Sequence, residues 1–505
     1  MTESNSNALR QERLKKLSSL QQQGHSPYPT KFERSHDAHQ LQTDFESFTE
    51  SNQFQSLDSV SVCGRITALR RMGGASFLDL RDGSDRIQLY ADKDTLGEEN
   101  YALLMDHLDI GDFLGVIGQM FRTKRGELSI DIKNFQFLSK SLLPLPEKWH
   151  GLKDTEVRYR QRYLDLISNE ETREAFRTRS KIVTAMRTFL DGEVFLEVET
   201  PVLQPIYGGA AAKPFVTHHN KLDTNLYLRI SDELYLKRLI VGGFERVYEI
   251  GRDFRNEGLS TKHNPEFTMM ECYQAYADYE DMMQLTENMI AFIAQEALGT
   301  MKIEFQGQEI DLTPPWPRKT LRDAILEETG IDFLKHPTTE TLIQAIKDAR
   351  LKVTTQKTWG KWVDELLSVY VEPKLISPTF LTDYPVELSP FAKKHAGDGT
   401  LTERFEVFAA GFELGNAYSE LNDPLDQRER FETEAKIESQ GNGEINPLDE
   451  DFLTALEHGM PPTGGLGIGI DRLVILLTDR PSIRDVILFP TLRPVKANTQ
   501  PDKST

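Results

Sequence analysis

The stretch RNEGLSTKHNPEFTMMECY, residues 255–273, is the most informative part of this chain. A loop rich in turn formers and bases separates two runs, and every second residue from Phe267 to Tyr273 shares one face of the second run. The pattern predicts a β-hairpin with a cation and an aromatic ring on one surface. Arg255 can make a bidentate contact with phosphate oxygens, and Phe267 offers a ring on which a base can stack. The hairpin therefore suits a nucleotide, with an ordinary charged surface hairpin as the alternative.

Two further segments flank this hairpin along the chain. FLEVETPVL, residues 195–203, precedes it and predicts a strand that contains Thr200-Pro201 near its end. GGLGIGIDRLVILL, residues 464–477, follows it and predicts a glycine-rich turn that enters a helix at Arg472. Together the three segments resemble the three motifs of class II aminoacyl-tRNA synthetases, in that family's order, and the match is closest to the lysyl-tRNA synthetases. The resemblance covers nearly the whole chain.

The resemblance implies an α+β fold, in which an N-terminal OB-type β-barrel precedes a class II catalytic domain with an antiparallel sheet flanked by helices. The residues after position 60 favour the barrel on their own, because about five short alternating strands in about 80 residues fit a small closed barrel. We expect an N-terminal helix and irregular extension at 1–55, an anticodon-binding OB-fold at 56–142, a linker at 143–169, the catalytic domain at 170–495 with a helical insertion near 318–372, and a tail at 496–505.

Composition narrows the class of protein. A chain of 505 residues predicts two or three domains, and 38% hydrophobic with 27% charged residues is typical of a globular protein. No apolar run reaches the ~18 residues of a membrane span, and the N-terminus lacks the apolar core of a secretory signal. We therefore expect a cytoplasmic protein with no membrane partner.

A net charge of −20 is a weak guide to nucleic-acid binding, which depends on local patches. Cys63 and Cys272 lie too far apart in sequence to indicate a zinc ribbon.

Activation of a carboxylic acid by ATP requires neutralised phosphate charge, a held base and in-line attack. Glu406 and Glu413 fall on two predicted strands joined by Ala-Ala-Gly, and such a pair suits Mg²⁺, which takes one or two carboxylates plus phosphate oxygens. Two exposed surface glutamates are the alternative. The resemblance assigns Mg²⁺ to this pair and makes Arg255 the catalytic residue, at the α-phosphate and the amino-acid carboxylate. The ATP-binding residues that it implies are Arg255, Glu257, His263, Phe267, Glu406 and Arg472.

The amino-acid pocket follows from the same resemblance. Asn416, Tyr418 and Glu420 share one face at period two, whereas Glu413 has the opposite parity, so we expect a β-bulge at Gly415. An acidic pocket favours an ammonium group, while an aspartate or asparagine enzyme would place a cation or an amide donor there. The lysine-binding residues that the family implies are Gly208, Glu233, Glu271, Tyr273, Asn416, Tyr418 and Glu420. The family usually has Pro at the position of Asp232, so this chain adds a negative charge beside the pocket.

The resemblance also implies macromolecular partners. Phe77, Gln88 and Glu127 correspond to positions at which the family reads its anticodon, so they are expected contacts of tRNA(Lys), although Phe77 can also be a core residue. The segment 195–203 builds the dimer interface in class II synthetases, which predicts a homodimer. The implied activity is ATP-dependent attachment of L-lysine to tRNA(Lys) through a lysyl-adenylate, with release of AMP and diphosphate.

Three other functions remain open at this point. An aspartate or asparagine tRNA ligase would share the fold. A paralogue that attaches lysine to a protein is disfavoured by the predicted barrel. A non-catalytic RNA-binding protein is disfavoured because Arg255, Glu406, Glu413 and Arg472 are all present.

Overall fold

A computed structural model of the chain describes residues 3–46, 59–146, 152–439 and 447–495. The chain divides into two units, Met1–Leu152 and Lys153–Thr505. The predicted tail at 496–505 lies outside the described residues, as do parts of the predicted extension and linker. Within the described ranges, no helix is long and apolar enough to cross a membrane.

The first unit contains a closed five-stranded barrel. Its elements are α1 Glu3–Gln22, α2 Ala38–Asp44, β1 Val60–Met72, β2 Ala75–Arg81, β3 Arg86–Asp92, α3 Lys93–Leu96, α4 Glu98–His107, β4 Phe113–Arg122 and β5 Leu128–Ser139. The strand order is β1-β2-β3-β5-β4, and β1 pairs with both β2 and β4 to close the barrel. Val60, Val62 and Ile66 alternate into the core along β1, as period-two patterning requires. The predicted OB-type barrel is confirmed.

The extension before the barrel holds one helix more than the sequence predicted. Helix α2 begins after Asp37, whose side chain accepts a hydrogen bond from the backbone of Gln40, while the Gln40 side chain accepts one in return. This reciprocal capping satisfies two free backbone donors. Ala38 and Leu41 then pack into the barrel core. The D-x-x-Q spacing was the local signal for this helix.

The second unit is built on an eight-stranded sheet in the order β14-β15-β16-β17-β18-β11-β10-β6. Its elements are α5 Thr155–Arg160, α6 Arg162–Ser168, α7 Glu170–Gly192, β6 Leu196–Glu197, β7 Leu203–Gln204, β8 Val216–His219, β9 Thr224–Leu228, α8 Glu233–Val241, β10 Arg246–Phe254, β11 Glu266–Ala275, α9 Tyr279–Leu298, β12 Lys302–Phe305, β13 Gln308–Asp311, β14 Arg318–Thr320, α10 Leu321–Thr329, α11 Thr339–Asp348, α12 Trp359–Leu366, β15 Thr379–Pro385, β16 Leu401–Ala409, β17 Phe412–Ser419, α13 Pro424–Ser439, α14 Glu450–Glu457, β18 Thr463–Gly469, α15 Ile470–Leu477 and α16 Ile483–Val486. Only the edge strands β14 and β6 pair in parallel. The predicted antiparallel sheet flanked by helices is confirmed.

The main core lies between one face of this sheet and the helices α7, α9 and α15. Ile182 of α7, Met289 of α9 and Leu473 of α15 are fully buried there with Ile468 of β18. Fully burying one such side chain contributes about 1.5–3 kcal/mol. Because the helices cover this face, the opposite face of β11, β17 and β18 is left to line a cavity.

Three segments differ from their predicted structure. The strand predicted at 195–203 is replaced by two short strands, β6 and β7. Between them, Thr200 donates its backbone N–H and its hydroxyl to Glu249, and the chain leaves the edge of the sheet. The glycine run is not a turn: it forms β18, whose backbone pairs with both β11 and β17. The region 318–372 is mostly helical, but it begins with the edge strand β14. In addition, the predicted linker contains α5 and α6.

Candidate active site

A cavity of about 490 Å³ lies over β11, β17 and β18 of the large sheet. The predicted residues that line it are Glu233, Arg255, Glu257, His263, Phe267, Glu271, Tyr273, Glu406, Glu413, Asn416, Tyr418, Glu420 and Arg472. Gly208 is the exception, since it is buried and its neighbour Gly209 lines the cavity instead. The hairpin register, with Phe254 opposite Glu266, points alternate residues of β11 into this space.

A β-bulge in β17 brings the two candidate metal ligands to the same side. Glu406 is paired with Asn416 and Phe408 with Glu413, so Leu414 is an extra residue in β17. The bulge lies one residue before the predicted position at Gly415. It reverses the parity of Glu413, which then lines the cavity together with Glu406.

The glycines of β18 leave room for side chains that cross the strand. A Cβ atom at Gly465 would overlap Glu420 Oε1 and would lie 2.6 Å from Cε1 of Tyr273. At Gly467 the nearest atom would be the terminal methyl of Met269, 3.3 Å away. Because Gly465 has no Cβ atom, the side chains of Glu420 and Tyr273 can pack directly against the backbone of β18.

One end of the cavity combines arginines with carboxylates. The Arg255 guanidinium lies 5.1 Å from the Phe267 ring centroid. Arg472 donates from Nη1 to Glu413 Oε2 over 2.8 Å, and its Nη2 lies 3.3 Å from His263 Nε2. Although burial favours protonated Glu413, Arg472 lowers the pKa of that carboxyl below its usual range. Burial and the Arg472 charge lower the pKa of His263, so its imidazole is neutral at physiological pH.

Glu406 is held by two side chains that sequence reasoning missed. Arg404 donates from Nη2 to Glu406 Oε1 over 2.6 Å, and the Tyr384 hydroxyl donates to Oε2 over 2.9 Å. Burial raises the pKa of Glu406 to about 7, and Glu413 adds to the rise. Burial and the neighbouring carboxyl thus oppose the ionised form of Glu406, while Arg404 favours it. The signal for Arg404 was its position two residues before Glu406 on the same strand.

The other end of the cavity is acidic and lined with hydroxyls. Glu271 accepts hydrogen bonds from Ser231 Oγ at 2.9 Å and from the Tyr273 hydroxyl at 3.1 Å. The Tyr418 hydroxyl donates to Glu233 Oε2 over 2.6 Å. Burial and the charge of Asp253 raise the pKa of Glu271 to about 8, and burial raises the pKa of Glu420 well above its usual range. A cation entering this end would favour the ionised form of these carboxyls.

Comparison with known proteins places the chain in a family. A family model described as tRNA synthetases class II (D, K and N) matches residues 154–493, and one described as an OB-fold nucleic acid binding domain matches residues 60–138. The chain belongs to the class II tRNA synthetases. It is 55% identical to the lysine–tRNA ligase of Pelotomaculum thermopropionicum over 490 residues, which cover 97% of this chain and 95% of that relative. It is 55% identical to the lysine–tRNA ligase of Moorella thermoacetica, with 95% and 97% covered, and 54% identical to that of Carboxydothermus hydrogenoformans, with 97% and 98% covered.

A buried arginine with three acidic side chains lies next to the acidic end of the cavity. Arg229 contacts Glu249 at 2.6 Å, Asp232 at 2.9 Å and Asp253 at 3.3 Å. Burial, together with Asp253 and Glu271, raises the pKa of Asp232 to about 11. Burial therefore opposes a charge on the residue that departs from the family pattern, whereas Arg229 favours it.

The candidate tRNA contacts of the synthetase lie on the barrel. Phe77 on β2 is half-buried and is not part of the barrel core; its ring lies 5.1 Å from that of Tyr90 on β3. Gln88 accepts a hydrogen bond from Ser129 Oγ at 2.9 Å, and Glu127 pairs with Arg86 at 2.9 Å. Partly exposed aromatic rings on a barrel surface are typical of sites that stack nucleotide bases. Tyr90 was missed because its alternation alone does not separate a stacking ring from a packing one.

Proposed function

We propose that this class II synthetase attaches L-lysine to tRNA(Lys) in two steps, through a lysyl-adenylate, with release of AMP and diphosphate. One observation carries the proposal: a single cavity joins an end with arginines and paired carboxylates to an acidic end lined with hydroxyls. The names of the relatives, which match over at least 95% of this chain, support lysine as the amino acid.

In the first step, the lysine carboxylate attacks the α-phosphorus of ATP. The carboxylate is already a nucleophile, so no general base is required. Arg255 would contact both the α-phosphate and the carboxylate, where charge builds in the transition state. Phe267 would stack on adenine, with Arg472 over its other face as a cation–π partner. Glu257 and His263 would contact the adenine amino group and the β- and γ-phosphates.

Glu406 and Glu413 are the proposed ligands of Mg²⁺. The donor set fits, because both are carboxylates on one cavity wall and because Mg²⁺ binds through one or two carboxylates plus substrate phosphates. Burial raises the pKa of Glu406 to about 7, with Glu413 adding to the rise, and a bound cation would favour the ionised form of this carboxyl. When bound, Mg²⁺ would neutralise phosphate charge.

The acidic end would hold the amino acid. Glu420, Glu271 and Tyr273 would bind the ε-ammonium, and Glu233 would bind the α-ammonium. Asn416 and Tyr418 would complete the wall. Leaving an ammonium unpaired in a buried site is costly, so this arrangement selects for a cationic side chain.

In the second step, the 3′-hydroxyl of the terminal tRNA adenosine attacks the adenylate carbonyl. The hydroxyl proton can pass to a phosphate oxygen of the departing AMP. Phe77, Gln88 and Glu127 would contact the anticodon. We infer a cytoplasmic homodimer, and the exposed apolar side chains of Val194 and Leu203 in and beside the first motif support an interface there.

The test is ATP–pyrophosphate exchange with L-lysine, L-aspartate and L-asparagine in parallel, followed by charging of tRNA(Lys) and tRNA(Asp). We expect exchange and charging with lysine and tRNA(Lys) only. Exchange with aspartate or asparagine but not with lysine would overturn the proposal in favour of another member of the same family. Adenylation without transfer to any tRNA would instead favour a protein substrate.

A further inference from the structure

Lys237 of helix α8 is fully buried behind the acidic end of the cavity. Its Nζ donates to Glu233 Oε1 over 2.5 Å and forms a second ion pair with Glu420 Oε2. The rings of Phe391 and Tyr418 lie 5.1 and 5.6 Å from the same nitrogen. Lys237 thus joins two carboxylates that come from separate elements, and it does not contribute to the cavity wall.

The contacts leave each carboxylate with one defined orientation. Glu233 uses Oε1 for Lys237 and Oε2 for the Tyr418 hydroxyl. Neither buried oxygen of Glu420 has a hydrogen-bond partner among the described residues; Oε2 is engaged by the ion pair with Lys237, which leaves Oε1 as the oxygen without a charged neighbour in contact. This oxygen lies over Gly465, where a Cβ atom would overlap it. An unpartnered, buried carboxylate oxygen on a cavity wall is an acceptor for a ligand cation.

We propose that Lys237 is a positioning residue for amino-acid recognition: its ammonium holds Glu233 and Glu420 at a fixed separation and directs one free oxygen of Glu420 to the substrate ε-ammonium. The inference rests on the proposed function. Lys237 acts from behind the site and does not touch the substrate.

Charge makes this role specific for an ammonium. Three carboxyls crowd the acidic end, and Lys237 opposes the rise that burial causes in the pKa of Glu420. Without Lys237, Glu420 would hold its proton to a higher pH and would be a poorer acceptor. The groups that face Lys237 and Glu420 are Glu233, Glu271, Tyr273, Phe391, Tyr418 and Phe452.

The experiment compares Lys237→Met, which keeps the aliphatic stem, with the matched control Arg238→Met on the same helix. Arg238 also forms an ion pair, with Asp449 at 2.8 Å, but it contacts neither pocket glutamate. In lysine-dependent exchange we expect Lys237→Met to raise KM for lysine by roughly 10- to 100-fold, with KM for ATP within about twofold. Arg238→Met should leave KM for lysine within about twofold. Titration of each variant with ATP by calorimetry reports a folded nucleotide site.

Two further readouts separate positioning from general stability. In a double-mutant cycle with Glu420→Gln, Lys237→Met should raise KM for lysine by a smaller factor than it does in the parent, because the part of its effect that passes through Glu420 is already lost. Glu420→Gln also removes one of the two carboxylates that lose their ammonium partner, so the double variant tests the idea if Lys237→Met alone fails to fold. From about pH 6.5 to 9, below the usual pKa of the lysine side chain, kcat/KM for lysine should rise more steeply in Lys237→Met than in the parent.

An unchanged KM for lysine in folded Lys237→Met would overturn the inference, as would multiplicative effects in the cycle or parallel pH profiles. These outcomes presuppose that the parent protein exchanges with lysine. Absence of that exchange in the parent would instead contradict the proposed function, so the two failures are distinguishable.

Discussion

Adding one methyl group to β18 should weaken lysine recognition by about 100-fold while sparing the nucleotide end. Gly465 lies in extended backbone that alanine can adopt, so the effect of Gly465→Ala is purely steric. The new Cβ would overlap Glu420 Oε1 and would lie 2.6 Å from Tyr273 Cε1. Because carbon atoms prefer about 3.5–4.0 Å, the Tyr273 ring must retreat by about 1 Å, and Glu420, which the new Cβ overlaps, must retreat further.

A displacement of this size has a predictable cost. A misplacement of about 1 Å reduces rate by about 100-fold, which corresponds to about 2.7 kcal/mol of lost transition-state binding. Overpacking should also lower the free energy of unfolding by about 1–3 kcal/mol. Gly467→Ala is the matched control, because its Cβ would come closest to the flexible Met269 methyl, at 3.3 Å, and would lie at an ordinary contact distance of 3.8 Å from Asn416 O and Glu271 Cγ. We expect less than about a threefold effect there, since a terminal methyl group can move.

The assay is lysine-dependent ATP–pyrophosphate exchange for the parent, Gly465→Ala and Gly467→Ala, with calorimetric ATP binding as the check on folding. Gly465→Ala should lose about 100-fold in kcat/KM for lysine and should still bind ATP. If it matched Gly467→Ala in lysine kinetics, the geometry assigned to Glu420 and Tyr273 would be wrong.

The remaining predictions concern four other positions. Arg255→Ala should abolish adenylation but leave tRNA binding, measured by filter binding, within about twofold, because the role proposed for its guanidinium is contact with the reacting groups; full adenylation would refute this role. Glu413→Gln should raise the Mg²⁺ concentration needed for half-maximal exchange by about tenfold, and an unchanged Mg²⁺ titration would contradict the ligand assignment. Burial and Asp253 raise the pKa of Glu271 from 4.5 to about 8, so the stability that this group gives the ligand-free fold is fully present below pH 4.5 and is lost as the pH rises to about 8. The thermal midpoint should therefore fall less with rising pH in Glu271→Gln than in the parent. Parallel plots of thermal midpoint against pH for the two proteins would exclude Glu271 as the cause. Leu203→Asp should convert a dimer to a monomer in light scattering, and an unchanged mass would exclude this interface.

Local patterns predicted much of the catalytic unit. The period of two from Phe267 to Tyr273 determines which side chains of β11 share a face, and the pairing with β10 preserves it. The conflicting parity of Glu413 required a bulge, which lies one residue before Gly415. These inferences succeeded because strand geometry fixes side-chain direction within a few residues.

Other features of the site depend on contacts between residues that are far apart in the sequence, and local patterns do not indicate such contacts. The sequence of the glycine run predicts a turn, whereas the structure needs glycine there to make room for Glu420 and Tyr273, which lie far away in the chain. Lys237 was missed although it stands four residues after Glu233, a spacing that places two side chains on the same helix face. Its second partner, Glu420, is set by tertiary structure alone.

The most direct measurement is a crystal structure of the protein soaked with L-lysine, ATP and Mg²⁺. We predict density for a lysyl-adenylate along the cavity, with adenine against Phe267, the α-phosphate at Arg255 and the ε-ammonium within hydrogen-bond distance of Glu420 Oε1. Density for the amino acid outside the acidic end, or for its side chain turned away from Glu420, would contradict the account.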